Sequence, residues 1–107
     1  MAIVVVNKYK HTPTPDDVYI GRGSALGNPF RISDTLSRDD VIRMYTAWLL
    51  PRLRRSSKNY DATAHGAMRR ILKSHRSGNQ INLVCFCAPQ ACHGDVIKRL
   101  IERKASE

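Results

Sequence analysis

The chain has 107 residues, enough for one domain around one modest hydrophobic core, and its 42% apolar and 25% charged residues put it among globular chains, not disordered ones. No apolar run approaches the roughly 18 residues of a membrane span, and Ala2-Ile3-Val4-Val5-Val6 has neither the basic lead-in nor the length of a secretory signal, so a single soluble, cytoplasmic domain over residues 1–107 is expected. Eighteen Lys and Arg against nine Asp and Glu leave a formal charge of +9, which attracts polyanions and favours a nucleotide or nucleic acid as partner, although the same charge also serves solubility.

The β-branched run Ala2 to Val6 lacks polar alternation and predicts a strand buried on both faces. Pro13 and Pro15 keep the strand from continuing through the next segment, because each removes a ladder donor and fixes φ. Val18-Tyr19-Ile20 predicts a short second strand, and Gly21 to Pro29, with three glycines, a structured loop. Ser37-Arg38-Asp39-Asp40 has the form of a helix N-cap with an acid three residues on. Behind it Val41, Met44, Tyr45, Trp48 and Leu49 make an amphipathic stripe, which Pro51 should end near Leu50. Arg52 to Asn59 reads as a basic connector. A second helix is predicted from Ala62 to His75, with Ala67, Met68, Ile71 and Leu72 inward and Ser77-Gly78-Asn79 as its stop. Ile81 to Cys87 is the third strand, and Gly94 to Lys104 the last helix, buried through Val96, Ile97, Leu100 and Ile101. The order β-β-α-α-β-α predicts a small Rossmann-like layered α/β domain with a mainly parallel sheet.

Two stretches could carry chemistry. In Tyr19-Ile20-Gly21-Arg22-Gly23-Ser24-Ala25-Leu26-Gly27-Asn28-Pro29-Phe30 a strand runs straight into glycines. Gly21, Gly23 and Gly27 let backbone N–H groups approach a ligand, Arg22 and Ser24 add donors for phosphate or carboxylate, and Asn28 can fix the loop or the ligand. The loop matches neither the Walker A pattern nor the dinucleotide fingerprint, so turn chemistry alone also accounts for it.

In Cys85-Phe86-Cys87-Ala88-Pro89-Gln90-Ala91-Cys92-His93-Gly94-Asp95, Cys85 and Cys87 would share a strand face, with Cys92 and His93 at the turn into a helix. An odd, local set of three cysteines is no secreted disulfide framework and fits reduced thiols. One use is a thiolate at Cys87 or Cys92, its pKa lowered by the helix N-terminus, with His93 and Asp95 as proton-transfer partners. The alternative is a zinc ion held by Cys85, Cys87, Cys92 and His93, although the set lacks paired Cys-x-x-Cys knuckles and comes from one cramped stretch; the primary reading has no cofactor. Cys85 also reads as a buried small hydrophobe, and His11, His65 and His75 stand alone. Because ligands in open parallel sheets bind outside the carboxyl ends of the strands, the two stretches meet in one pocket if the second and third strands are parallel neighbours.

At these same residues the chain resembles a family known as domain of unknown function 4326, found in bacteria and their viruses. The resemblance rests on Tyr19 to Ser24 continuing into Leu26-Gly27-Asn28-Pro29-Phe30, and on Cys85-Phe86-Cys87-Ala88-Pro89 continuing into Cys92-His93-Gly94-Asp95-Val96. It spans nearly the whole chain; at position 86 this chain carries Phe where the family often has Trp. The Cys-His turn is similar to that of domain of unknown function 488, but Gly94 stands where that family has Arg, so a role for that Arg does not carry over. The resemblance implies a Rossmann-like fold with kinship to nucleotide-binding domains of the SMF/DprA and LOG type, and brings no established reaction.

The leading expectation is therefore a protein that binds a nucleotide or nucleoside, a hydrolase or transferase if it acts on its phosphorylated ligand, with Gly21, Arg22, Gly23, Ser24, Gly27 and Asn28 binding and Cys87, Cys92, His93 and Asp95 available for catalysis. The second is a non-enzymatic binder of nucleic acid or of a host protein, through Arg52, Arg54, Arg55, Lys58, Arg69, Arg70, Lys73 and Arg76 on the two middle helices. A third is a small zinc-stabilised interaction module.

Overall fold

The computed structural model describes residues 3–88 and 90–107; Ala2, expected to open the first strand, and Pro89, inside the Cys/His turn, lie outside the described residues. Three strands and three helices follow the expected order: β1 (Ile3–Asn7), β2 (Asp17–Tyr19), α1 (Arg38–Arg52), α2 (Ala62–Arg76), β3 (Ile81–Cys85) and α3 (His93–Ala105). The result is a small α/β domain.

The sheet is parallel, with strand order β1-β3-β2. β3 is therefore the central strand and is buried at all five positions. Its side chains alternate: Ile81, Leu83 and Cys85 enter the main core with Ile3, Tyr45, Leu49, Met68 and Ile97, while Asn82 turns to the opposite face. There its amide donates to Thr14 Oγ1 and Asp17 Oδ1, so the proline-bearing segment before β2 is fastened to the central strand. Burial works to raise the pKa of Asp17, but bonds from His11, Thr14 and Asn82 outweigh it and hold the carboxyl down at about 2.

Several boundaries and environments differ from the sequence reading. β1 is an edge strand, not one buried on both faces, and Val4 remains 38% exposed. β2 is shifted one residue toward the N-terminus, ending at Tyr19. β3 stops at Cys85, so Cys87 lies beyond the strand, in the turn that follows it. α1 continues through Pro51 to Arg52. Pro51 falls in the final turn and removes only one ladder donor, and there the Arg52 guanidinium donates to Trp48 O at 2.7 Å while lying over the Trp48 ring.

Local caps fix the helix starts. Ser37 and Asp40 form the reciprocal capping box anticipated for α1. Asp61 caps α2 by accepting from Thr63 and Ala64 N–H. Cys92 caps α3 with its sulfur, and Asp95 returns a bond to the Cys92 N–H, which starts the helix at His93, one residue early. On the inner faces Ala64, Met68 and Ile71 of α2 and Val96, Ile97 and Ile101 of α3 are buried; Ala67, Leu72 and Leu100 are half-buried against them. No helix among the described residues is long and apolar enough to cross a membrane.

Candidate functional site

The parallel pairing of β2 with β3 carries the chain out of both strands at the same edge of the sheet. β2 leads through Ile20 into the glycine loop, and β3 leads into the Cys/His turn. A cleft of about 210 Å³ lies between them, lined by Gly21, Arg22 and Asn28 from the first stretch and by Cys85, Phe86, Cys87, Cys92 and His93 from the second. Ile32, Arg38, Val41 and Ile42 close it from the side of α1.

The loop holds its shape by contacts with itself. Ser24 N–H and hydroxyl both bond Gly21 O, at 3.1 and 2.6 Å. Gly23 has φ +87°, and a Cβ on Gly27 would stand 2.5 Å from Gly21 O; the first needs left-handed backbone and the second needs the space. Asn28 donates to Val41 O and accepts from Phe30 N–H, which ties the loop to the first turn of α1. Arg22 reaches Asn28 O at 3.3 Å and remains exposed. Ser24, Gly23 and Gly27 line an adjoining, more open depression of about 420 Å³ with Arg22, Asn28, Trp48 and Asp61, not the cleft. Of the two side chains expected to bind an anion, Arg22 lines the cleft and Ser24 does not.

The other wall is held by a buried histidine. His93, 8% exposed, has its Nε2 2.6 Å from Ile20 O. A carbonyl can only accept, so Nε2 carries the hydrogen and Nδ1 is left as the basic atom of the ring. Burial, and then the nearby positive charge of Arg22, lower the pKa of His93 against the opposing bond to Ile20, so the ring is neutral near pH 7. Tyr45 meets the imidazole edge-on at 4.9 Å and donates its own hydroxyl to Leu26 O at 2.7 Å, which joins α1, the loop and α3 in one buried unit. Gly94 permits this approach: a Cβ there would lie 2.9 Å from Ile20 Cδ1 and 3.1 Å from Val5 Cγ1. Asp95 serves the α3 cap and does not line the cleft.

The sulfurs of Cys85 and Cys92 are 3.4 Å apart and buried. Cys92 S–H donates to Cys85, whose sulfur also accepts from the backbone N–H groups of Ala88 and Cys87. These donors hold the Cys85 thiol down at about 6, against the cost of burial. The same contact, with burial, pushes Cys92 up, beyond what the Gly94 N–H at its sulfur can offset. The shift at Cys92 thus runs opposite to the one expected there, and a lowered thiol lies at Cys85. An ultraviolet titration of thiolate absorbance should show one thiol ionising near pH 6, and Cys85→Ser should remove that step. Its native pKa is below the unfolded one, so this thiol adds stability above the unfolded thiol pKa and loses it as pH falls through about 6.

The alternative zinc set does not assemble. Cys85 and Cys92 face each other, His93 Nε2 is spent on Ile20, and among the described residues no group of three or more His, Cys, Asp and Glu side chains is placed to hold a metal ion. The lone histidines His11 and His65 have local partners: His11 bonds Asp17 and His65 bonds Tyr60. Of the basic residues, Arg69, Arg70, Lys73 and Arg76 line a shallow surface depression on α2, Arg54 and Arg55 stand apart from it on the connector, and Arg52 is occupied by Trp48.

The sequence reading missed Arg38. It opens α1, lines the cleft, and donates to Ala91 O and Gln90 Oε1, bracing the Cys/His turn. The only signal in the sequence was its place directly after the Ser37 cap.

The model of the family described as "Domain of unknown function (DUF4326)" matches residues 4–103, which takes in both walls of the cleft. The chain belongs to the DUF4326 family. It is also 31% identical over 100 residues to the "Uncharacterized 12.4 kDa protein in nrdA-td intergenic region" of Enterobacteria phage T4, an alignment covering 92% of this chain and 77% of that protein. No solved structure matches. The matched span of this DUF4326 chain includes every residue that lines the cleft.

Proposed function

We propose that the cleft binds a phosphorylated nucleotide, and that the domain is Rossmann-like in the sense of the nucleotide-binding domains of SMF/DprA and LOG type. The reading is carried by one observation: the glycine loop and the Cys/His turn, far apart in the chain, line one cleft outside the carboxyl ends of two adjacent parallel strands. Two guanidiniums, Arg22 and Arg38, border that cleft, and among the described residues no carboxylate does. That polarity suits a phosphoryl group.

If the bound nucleotide is hydrolysed or its phosphoryl or glycosyl group transferred, the groups able to take a proton are the Cys85 thiolate and His93 at Nδ1. Cys87 lines the same wall. Asp95 contributes through the cap that sets the start of α3.

Thermal unfolding with a panel of nucleoside mono-, di- and triphosphates tests the reading. At ligand concentrations about 100-fold above Kd, stabilisation of about 2.7 kcal/mol is expected, and Arg22→Ala, an exposed position, should abolish it without changing the unliganded transition. A panel that leaves the transition unmoved overturns the proposal.

A further inference from the structure

Each strand hands over to an aromatic residue as it leaves the carboxyl edge of the sheet. Tyr19 ends β2, Phe86 directly follows β3, and Tyr9 comes two residues after β1. Because β3 is central, Phe86 lies between the other two, with ring centroids 5.3 Å from Tyr9 and 6.1 Å from Tyr19. The fold does not bury them: Tyr9 is 84% exposed, Phe86 42% and Tyr19 40%. The backbone beneath is fastened. Asn7 donates to Phe86 O and Ala88 O while accepting from Tyr9 N–H, and the Tyr19 hydroxyl donates to Arg22 O. Lys8 Nζ lies 5.5 Å from the Tyr19 centroid and 5.7 Å from that of Phe86.

Phe86 belongs both to this shelf and to the cleft wall. The cleft, about 210 Å³, is smaller than the roughly 300–1,000 Å³ of pockets that enclose whole small molecules. It can take the phosphate end of a nucleotide and leave the base outside. We infer that this aromatic shelf is the nucleobase subsite, where the base of a nucleotide stacks on the central Phe86 ring and packs against Tyr9 and Tyr19, inclined to it by 49° and 80°, while its phosphate meets Arg22 and Arg38. Aromatic faces bind any base by stacking. The shelf therefore selects for the presence of a base more than for its identity.

This inference rests on the phosphate reading of the cleft, and calorimetry separates the two. The titrants are AMP, GMP, CMP, UMP and ribose 5-phosphate, with the wild-type chain, Phe86→Ala, Phe86→Leu and Phe86→Tyr. Nucleotides should bind at least tenfold more tightly than ribose 5-phosphate. Phe86→Ala and Phe86→Leu should each cut nucleotide affinity at least tenfold more than they cut ribose 5-phosphate affinity, and Phe86→Tyr should keep the wild-type ratio. Equal affinity for ribose 5-phosphate and the nucleotides, unaltered by Phe86→Ala, overturns the shelf and leaves the cleft standing. Failure of all five to bind, together with the di- and triphosphates of the thermal panel, overturns the cleft, and the shelf with it.

Discussion

His93→Ala is expected to lower the unfolding free energy by about 3 kcal/mol, a sizeable share of the total for a domain of this size. The change empties a buried site against Tyr45 and leaves Ile20 O, at the entry to the glycine loop, without its donor. Both costs are of the kind that make a core substitution severe. Gln, which carries a side-chain N–H, should recover part of the loss. Urea unfolding midpoints of the three proteins decide the matter: an alanine variant within about 0.5 kcal/mol of wild type would show that the imidazole does not staple α3 to the loop. His93→Ala is therefore a poor probe of chemistry in this protein, because loss of activity would accompany loss of structure. Arg22, exposed and with its guanidinium bonded to a loop carbonyl, is the cleaner probe.

Gly27→Ala is expected to cost about 1–3 kcal/mol and to weaken nucleotide binding at least tenfold. The new methyl would meet Gly21 O at 2.5 Å, Gly21 C at 3.2 Å and Arg22 Cα at 3.3 Å. All three are backbone atoms, so the loop must open, and the segment displaced is the one that presents Arg22 to the cleft. Gly23→Ala differs in kind. Nothing lies within 4 Å of its would-be Cβ, and the cost is the left-handed backbone at φ +87°, about 1–2 kcal/mol. The pair of variants thus separates space from conformation, by denaturation and by calorimetry with AMP. A Gly27→Ala protein as stable and as competent as wild type would contradict the close packing of Gly27 on Gly21.

The order of elements was legible because the signals were local and strong. The stripe from Val41 to Leu49 and the Ser37–Asp40 cap marked α1, and β-branched residues marked the strands. Convergence of the two motifs was legible conditionally, since it needed only that β2 and β3 be parallel neighbours, as they are. What stayed hidden depended on tertiary contact. β1 became an edge strand through the sheet order, which its run of valines does not encode. The pairing of Cys85 with Cys92 arises because the turn after β3 folds the α3 cap back onto the strand end, so a residue read also as buried core filler has its thiol pKa lowered. Ser24 resembled a phosphate ligand by type, yet its hydroxyl is spent on Gly21 O. Arg38 gave no sign of reaching Gln90 and Ala91.

Backbone amide shifts in a ¹⁵N-labelled protein titrated with AMP test the central claim most directly. Perturbation should appear in both stretches at once, around Gly21 to Asn28 and around Cys85 to His93, and should leave α2 unmoved. Shifts confined to Arg69, Arg70 and Lys73 would contradict the account and favour the basic helix face as the binding surface.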